Sequence, residues 1–279
     1  MTVSGNRIAL LIAAHGERGG ERPAGANNEA TFRIAHSLSA NLSTNLSTSL
    51  STNLSTPGLI CEVAVGFIRG EPSIKEALGS LTAPDIIVYP LFVANGYFTR
   101  DRLAQLLEEA NGEGRKVRVM APLGLDPGLP ELVIGFAAEA ARKHAFEPST
   151  CNVILLAHGS KKNPASRKST EQMERALEAS GSFRSVRGAF LEEAPSLQSA
   201  AEGVQGPIVV VGMFSGEGLH GAKDAPQLVS GLRRDDAVFA GVIGTAAGVA
   251  DLIARSVENA LHAAPGSVNA AAEWVSVAP

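Results

Sequence analysis

Two histidines in the second half of the chain have the residue type and the placement that metal or proton chemistry needs. His158 lies in LLAHGS directly after an apolar run, and His220 lies in GLHGAKDAP after a second apolar run that ends at Met213. A neutral imidazole is the commonest metal ligand in proteins and moves protons readily near neutral pH. Two imidazoles in loops that follow predicted strands therefore indicate a site for metal binding, proton transfer or both.

A pair of carboxylates follows a third apolar run. The run SVRGAFL is followed by Glu192 and Glu193. Two imidazoles and a carboxylate at one edge of a sheet could bind a borderline divalent ion such as Co²⁺, Fe²⁺ or Ni²⁺, and they could also accept protons. The glutamates could equally form a solvated turn before Pro195, and the residues alone leave both interpretations open.

Short apolar runs alternate with amphipathic stretches along the whole chain, which is typical of parallel βαβ units. Because these runs are continuous, they suit strands that are covered on both faces. We predict strands at IALLIAA, CEVAVGF, DIIVYPLFV and KVRVMAP in the first half and at NVILLA, SVRGAFL, PIVVVGMF and AVFAGVIG in the second. The predicted fold class is α/β, with two four-stranded parallel sheets flanked by helices, and ligands of such sheets bind beyond the carboxyl ends of the strands.

The two halves are unequal copies of one plan. Pro72 in EPSIKEAL pairs with Pro195 in APSLQSAA at a separation of 123 positions (195 − 72), whereas His15 and His158 are 143 positions apart (158 − 15). The surplus in the first half is assigned to residues 41–56, a tandem repeat that reads NLSTNLSTSLSTNLST. We predict a partly helical surface insertion there.

The same alignment predicts the domains and their two sites. The boundary is expected at FEPST, where Pro148 ends the fourth helix, and it divides the chain into domains 1–146 and 147–279. The alignment pairs Asp101 with Asp224, also 123 positions apart (224 − 101). Tyr97 then falls where a second histidine of the first half would stand.

Composition and charge exclude several classes of function. The chain has 279 residues, a formal net charge of −4 and no basic run longer than a pair, which disfavours a nucleic-acid binder. No stretch reaches the roughly 18 continuous apolar residues of a membrane span. The first residues, MTVSGNRIALLIAAHG, lack the features of a signal peptide. We therefore expect a cytoplasmic protein without nucleic-acid or membrane partners.

Three motifs in order carry a family resemblance. LLAHGS, AFLEEAPSLQSAA and GMFSGEGLHGAKDAP together resemble the class II tetrapyrrole chelatases, the family of sirohydrochlorin cobaltochelatases and ferrochelatases. The family pattern is a strand-end His-Gly, a Phe-Leu-Glu before Pro-Ser, and a G-x-H with an aspartate four residues after the histidine. His158, Glu192, His220 and Asp224 match it in the second half. The resemblance covers most of the chain and is closest to the long, two-domain form.

The first half matches this pattern only in part. His15 is present, but Arg69 stands in place of the glutamate and Tyr97 in place of the second histidine. An arginine stays protonated and cannot accept a proton or ligate a metal. We therefore predict a degenerate site in the first domain and the active site in the second.

The resemblance implies two chelatase-like domains that face each other across a cleft, and a lyase that inserts Co²⁺ or Fe²⁺ into sirohydrochlorin in cobalamin or sirohaem biosynthesis. The divalent ion (Co²⁺, Fe²⁺ or Ni²⁺) is then a substrate, and no cofactor is permanently bound. His158 and His220 would ligate the ion, or one would ligate it while the other accepts a proton, and Glu192 would assist as ligand or base. A free histidine, with a pKa of about 6.5, is mostly neutral at pH 7 to 8, as both roles require.

The carboxylates of such a macrocycle require cations and hydrogen-bond donors. The candidates near the motifs are Ser160, Lys161, Lys162 and Lys223 in the second half and Arg69, Tyr97, Arg100 and Arg102 in the first. The alternative, that these are ordinary solvated surface residues, stays open.

Two rival functions use the same residues. A histidine phosphatase needs an arginine directly before its histidine, and Ala14 and Ala157 occupy that position here. A non-catalytic carrier could hold a metal or a tetrapyrrole with the same ligands, and the sequence does not distinguish it from an enzyme. The expected partner in either case is a sirohydrochlorin-type tetrapyrrole, bound by a monomer or a homodimer.

Overall fold

The computed structural model describes residues 7–16, 28–49, 60–111, 115–216, 218, 220–262 and 275–277. The strands are β1 Ile8–Ala14, β2 Ile60–Phe67, β3 Asp85–Pro90, β4 Lys116–Val119, β5 Asn152–Ala157, β6 Ser185–Phe190, β7 Ile208–Gly212, β8 Ala237–Val242 and β9 Val275–Val277. The α-helices are α1 Glu29–Ser49, α2 Ile74–Ser80, α3 Leu103–Ala110, α4 Leu129–Lys143, α5 Ala165–Ser180, α6 Leu197–Ala201, α7 Ala225–Gly231 and α8 Val249–His262. A π-helical turn precedes α3 at Phe98–Arg102 and another precedes α7 at His220–Asp224.

The strands form two sheets with the same order, which confirms the predicted fold class. The first runs β2-β1-β3-β4 and the second β6-β5-β7-β8, with all of these neighbours parallel. The central strands β1 and β5 are buried along their whole length. A strand with neighbours on both sides and helices on both faces has no solvated side, so its residues are uniformly apolar.

The first sheet carries one strand that the sequence analysis did not predict. Val275–Val277 pairs antiparallel with β4 and becomes the fifth strand. The three residues alternate Val-Ser-Val, too short a pattern to be recognised as a strand in the sequence. The neighbouring Trp274 lies outside the described residues.

The helices that follow the last strand of each parallel sheet are exchanged between the predicted halves. Helix α4 packs on β7 and β8 of the second sheet, whereas α8 packs on α1 beside the first. The compact units are accordingly Met1–Phe92 with Tyr97–Pro127 and Gly248–Pro279, and Val93–Gly96 with Gly128–Ala247. The division into 1–146 and 147–279 follows the copies in the sequence. The packing departs from it because an apolar stripe shows that a helix covers a sheet without showing which sheet.

Each exchanged helix contributes a different contact at the same position. Phe136 of α4 lies against Gly241 of β8, where a Cβ would approach the phenyl ring to 3.2 Å. In the first unit, Ser256 of α8 donates a hydrogen bond to the buried Asp126 (Oγ to Oδ2, 2.5 Å), which also accepts one from the Tyr89 hydroxyl at 3.1 Å. Burial, reinforced by the charge of Asp126, raises the pKa of Tyr89 well above its usual value.

The tandem repeat begins within α1. This helix extends to Ser49, so residues 41–49 of the predicted insertion are helical, and residues 50–56 lie outside the described part of the chain. Among the described residues, no helix combines the length and apolar character needed to cross a membrane.

Candidate active site

The residues predicted to act on the metal follow the carboxyl ends of three adjacent strands of the second sheet. His158 follows β5, Glu192 comes two residues after β6, and His220 begins the π-helical turn after β7. Strands β5 and β7 are neighbours in the sheet, but the chain leaves β5 toward β6 on its other side. Such a reversal opens a crevice at the carboxyl ends of the strands, which is where open parallel sheets bind ligands.

The two predicted imidazoles lie side by side. The ring centroids of His158 and His220 are 4.8 Å apart and the ring planes are perpendicular, at 89°. Their side chains are 44% and 42% exposed, so both rings are half-buried and open to a ligand. The structure therefore brings together the pair that the sequence singled out.

Hydrogen bonds indicate which nitrogen of each ring is available. His220 Nδ1 lies 2.8 Å from Oδ2 of Asp224, and His158 Nδ1 lies 3.1 Å from the carbonyl oxygen of Gly159. Both partners are acceptors, so Nδ1 carries the proton in each neutral ring and Nε2 keeps its lone pair. A carboxylate or carbonyl on the far nitrogen orients a metal-binding imidazole and raises its basicity.

The two glutamates after β6 have different surroundings. Glu192 is 58% exposed and its Oε2 is 3.9 Å from His158 Nδ1, on the side of the ring that carries the proton. Its carboxylate therefore lies near His158, beyond hydrogen-bond distance. The part of the chain that the structure describes contains no group of three or more His, Cys, Asp or Glu side chains set to hold an ion. The site thus offers two imidazoles, while the role of Glu192 as ligand or base stays a prediction.

Glu193 points into the protein, an arrangement that the sequence analysis missed. Its Oε1 accepts a hydrogen bond from the Ser160 amide at 3.0 Å, and its Oε2 accepts one from Arg167 Nη2 at 2.8 Å. These bonds, the one from Arg167 above all, lower the pKa of Glu193. Residue type alone gives no signal that distinguishes two consecutive glutamates in a loop.

The other predicted substrate-binding residues of the second half surround the histidine loops. Ser160 Oγ accepts hydrogen bonds from the amides of Lys162 and Asn163, both at 3.2 Å, so this hydroxyl orders the turn after His158. Lys161, Lys162 and Lys223 are exposed, and none of the three forms an ion pair with another described residue. Their ammonium groups are accessible to an anionic ligand.

The first half repeats the ring contact with a different partner. His15 lies 4.7 Å from the ring of Phe98 at 87°, and its Nδ1 lies 2.8 Å from the carbonyl oxygen of Gly16. Tyr97, the residue predicted to replace the second histidine, is 54% exposed and its ring lies 5.5 Å from Phe98.

Strand register corrects the assignment of Tyr97 by one residue. The Leu91 amide bonds the Ala13 carbonyl as the Met213 amide bonds the Leu156 carbonyl, both at 2.7 Å. Phe98 and His220 each follow seven positions after these amides, so Phe98 is the counterpart of His220. The alignment on proline and aspartate was wrong at this point, because the second copy is one residue shorter between the proline and the third strand.

The acidic residues of the second site have arginines as counterparts in the first. The Arg69 amide bonds the His15 carbonyl at 2.7 Å, as the Glu192 amide bonds the His158 carbonyl at 3.0 Å, so Arg69 replaces Glu192 as predicted. Its guanidinium lies 6.0 Å from the Phe98 ring.

The corrected register also changes the aspartate pairing. Arg102, and not Asp101, takes the place of Asp224, and Arg102 Nη1 donates a hydrogen bond to Gln105 Oε1 at 2.8 Å. Arg100 is exposed in the same turn.

Comparisons with known proteins agree with this architecture. The family model CbiX matches residues 34–140 and again 152–260. A probable sirohydrochlorin cobaltochelatase of Halobacterium salinarum is 23% identical over 192 residues, which is 61% of this chain and 65% of the length of that relative.

Two solved structures are similar over nearly the whole chain. CbiX, described as the terminal enzyme for biosynthesis of siroheme in denitrifying bacteria, is 25% identical, with a TM-score of 0.67 over 90% of this chain and 99% of its own. SirB from Bacillus subtilis with Fe³⁺ has a TM-score of 0.69 over 91% of this chain and 95% of its own at 16% identity, a likeness of fold. Because the family model covers both halves of the chain, from helix α1 to helix α8, the protein belongs to the CbiX family.

Proposed function

We propose that this protein is a lyase that inserts Co²⁺ or Fe²⁺ into sirohydrochlorin, a step of cobalamin or sirohaem biosynthesis. The observation that carries the proposal is the imidazole pair of His158 and His220, 4.8 Å apart at the switch point of a parallel sheet. The names of the relatives in the CbiX family support the same reaction.

Metal insertion requires delivery of the ion and removal of two protons. A divalent ion must reach the pyrrole nitrogens without its water shell, and the two N–H protons that it replaces must leave as 2 H⁺. The free Nε2 lone pairs of His158 and His220 bind the incoming ion, or one binds it while the other accepts a pyrrole proton. Asp224 stabilises the imidazolium that forms if His220 takes the proton, because its carboxylate is 2.8 Å from Nδ1.

Glu192 is proposed as the second proton acceptor or as an additional ligand. Its exposed carboxylate lies within 4 Å of His158, at 3.9 Å. A proton that Nε2 of His158 accepts leaves from the same nitrogen to water, because the ring is 44% exposed, and the nearby carboxylate of Glu192 stabilises the imidazolium until then.

The substrate's carboxylates are proposed to bind cations near the motifs. In the second half these are Lys161, Lys162 and Lys223, whose ammonium groups are exposed. In the first half, Arg69 and Arg100 are proposed to bind carboxylates as well, because an arginine presents a planar pair of donors that fits this group. The hydroxyl of Tyr97 is proposed to donate one further hydrogen bond.

We further propose that the protein works in the cytoplasm, as a monomer or homodimer, with sirohydrochlorin as its partner and without nucleic acid, membrane or a permanently bound cofactor.

One assay tests the function. Purified protein is incubated with sirohydrochlorin and a tenfold range of Co²⁺, Fe²⁺ or Ni²⁺ concentrations, and the macrocycle absorption is followed. We expect catalysed insertion with many turnovers per protein, and the metal with the highest kcat/KM identifies the better substrate. A change that stops at one macrocycle per protein would instead support a stoichiometric carrier.

A further inference from the structure

An ion pair outside the imidazole site joins helix α5, which follows the His158 loop, to the loop that carries Glu192. Arg167, on the first turn of α5, donates two hydrogen bonds to Glu193 Oε2, from Nε at 3.1 Å and from Nη2 at 2.8 Å. Nη2 also donates to the carbonyl oxygen of Ala194. The arginine therefore binds both a side chain and the backbone of the loop after β6.

The guanidinium itself is held from other directions. It lies over the Phe190 ring, with Cζ 4.5 Å from the ring centroid, and Nη1 is 3.7 Å from Oε1 of Glu171. Its side chain is 31% exposed. A planar cation stacked on an aromatic ring and bonded along its edge has little rotational freedom, so it is a rigid anchor.

Through Glu193, the ion pair also holds the loop that carries His158. Glu193 uses its second oxygen, Oε1, to accept the Ser160 amide at 3.0 Å, two residues after His158. The Glu192 amide in turn donates to the His158 carbonyl at 3.0 Å. Two hydrogen bonds, one at the His158 carbonyl and one at the Ser160 amide, therefore join the loop after β5 to the loop after β6.

The loop after β5 and the loop after β6 are closely packed at Gly159 and Glu193. Gly159 has a φ of +72°, and a Cβ there would lie 2.8 Å from Cγ of Glu193. The Glu193 side chain therefore packs against a backbone position that only glycine fits.

We propose that Arg167 is a positioning residue for metal insertion, acting through Glu193 to fix His158 and Glu192 relative to each other. The proposal rests on the proposed function. The clasp, defined as Arg167 and Glu193, touches neither the ion nor the macrocycle; it sets the geometry of the groups that do.

The first half shows the same loop without the clasp. Gly70 occupies the position of Glu193, directly after the counterpart of Glu192, and it has a φ of +136°. Gly70 has no side chain, so it cannot supply the carboxylate that Glu193 supplies in the second half. The clasp accompanies the half that keeps both histidines.

The test compares Arg167→Lys and Glu193→Gln with Arg234→Lys. Arg234 is a matched control because it also forms two hydrogen bonds to a carboxylate, that of Asp236, and donates to the carbonyls of Val204 and Gly206. It lies before β8, at the opposite end of the same sheet from the histidines. The replacement therefore removes equivalent bonds far from the site.

We expect Arg167→Lys and Glu193→Gln to lower kcat by about 10- to 100-fold, because small displacements of reacting groups cost about this much. KM for sirohydrochlorin should change by less than about twofold, since no macrocycle contact is removed. Arg234→Lys should keep the kcat of the unmodified protein even if its melting temperature falls as far as the melting temperatures of Arg167→Lys and Glu193→Gln. Binding of Co²⁺ alone, measured by calorimetry and by the visible absorption of the bound ion, should weaken in the two clasp variants only.

The outcomes separate the two proposals. Clasp variants with unchanged kcat and Co²⁺ binding, or losses equal to that of Arg234→Lys, would overturn the positioning role. If the unmodified protein inserts no metal, the proposed function fails, and the Co²⁺ affinity and absorption of the three variants still decide whether the clasp positions the histidines.

Discussion

The two halves of the molecule build the same ring contact from different residues. His158 and His220 meet at 4.8 Å and 89°, and His15 and Phe98 meet at 4.7 Å and 87°. The geometry is the same within 0.1 Å and 2°, so the fold sets the position of the rings in both halves. The chemistry differs because a phenyl ring has no lone pair to offer an ion.

The charges around the rings also differ in sign. Glu192 and Asp224 flank the imidazoles of the second half, whereas Arg69 and Arg102 stand at the equivalent positions of the first. Carboxylates attract a divalent cation and guanidinium groups repel it. One scaffold thus presents two imidazoles with carboxylates in one half and an imidazole, a phenyl ring and arginines in the other, which illustrates that the same fold can carry sites of opposite charge.

The largest expected difference between the halves is the effect of removing one imidazole. His220→Ala removes a ligand or proton acceptor, and we expect kcat for metal insertion to fall by about 10²- to 10⁴-fold. His15→Ala removes a ring that is paired with Phe98. Because the phenyl ring offers no lone pair to an ion, most of the activity should remain. Steady-state rates with sirohydrochlorin and Co²⁺ measure both effects, and equal losses would contradict the assignment of the active half.

A smaller effect is expected from the carboxylate behind His220. Asp224→Asn keeps the size of the side chain but removes the charge that accepts the Nδ1 proton at 2.8 Å. Loss of such an outer partner typically costs about 10- to 100-fold in metal affinity or activity. Asp101→Asn, in the corresponding turn of the first half, is the control and should have little effect. An Asp224→Asn variant that binds Co²⁺ with unchanged affinity would show that His220 needs no fixed tautomer.

The difference between the halves can also be reversed. Phe98→His combined with Arg69→Glu and Arg102→Asp copies the second site onto the first, and the added imidazole should lie about 5 Å from that of His15, as in an edge-to-face aromatic pair. In a His220→Ala background we expect this variant to bind about one additional equivalent of Co²⁺ by calorimetry, because two imidazoles with carboxylates suit this ion.

The control for that graft tests the register. Tyr97→His with the same two charge changes places the new imidazole one residue away, on a side chain that is 54% exposed. It should add no Co²⁺ site. Binding by the Tyr97→His variant and not by the Phe98→His variant would show that the correction of the alignment is mistaken.

The sequence predicted the features that depend on local pattern. Continuous apolar runs located the eight parallel strands, because a strand buried on both faces has no polar positions. Histidines in the loops after two of these runs indicated the candidate site, because carboxyl ends of adjacent parallel strands converge.

Features that depend on long-range packing were beyond the sequence. The bond between Arg167 and Glu193 joins residues 26 positions apart, and either glutamate of the pair could have made it. The exchange of α4 and α8 was hidden for a related reason, since both helices have apolar stripes that fit either sheet. The one-residue error at Tyr97 arose because a matched pair of prolines or aspartates aligns the two copies only in its own neighbourhood. Strand register is set by hydrogen bonds instead.

The smallest expected effect on activity concerns the exchanged helices. Phe136 and Ser256 are each seven positions after the first residue of their helix, yet one packs on Gly241 and the other bonds the buried Asp126. Ser256→Ala leaves Asp126 with one hydroxyl donor fewer in a site where water is excluded. We expect the free energy of unfolding to fall by about 1–3 kcal/mol, with metal insertion unchanged within about twofold. Urea denaturation measures the loss, with the exposed Ser230→Ala as control. If both variants unfold at the same urea concentration, the hydrogen bond to Asp126 does not anchor α8, and apolar packing against α1 holds the helix instead.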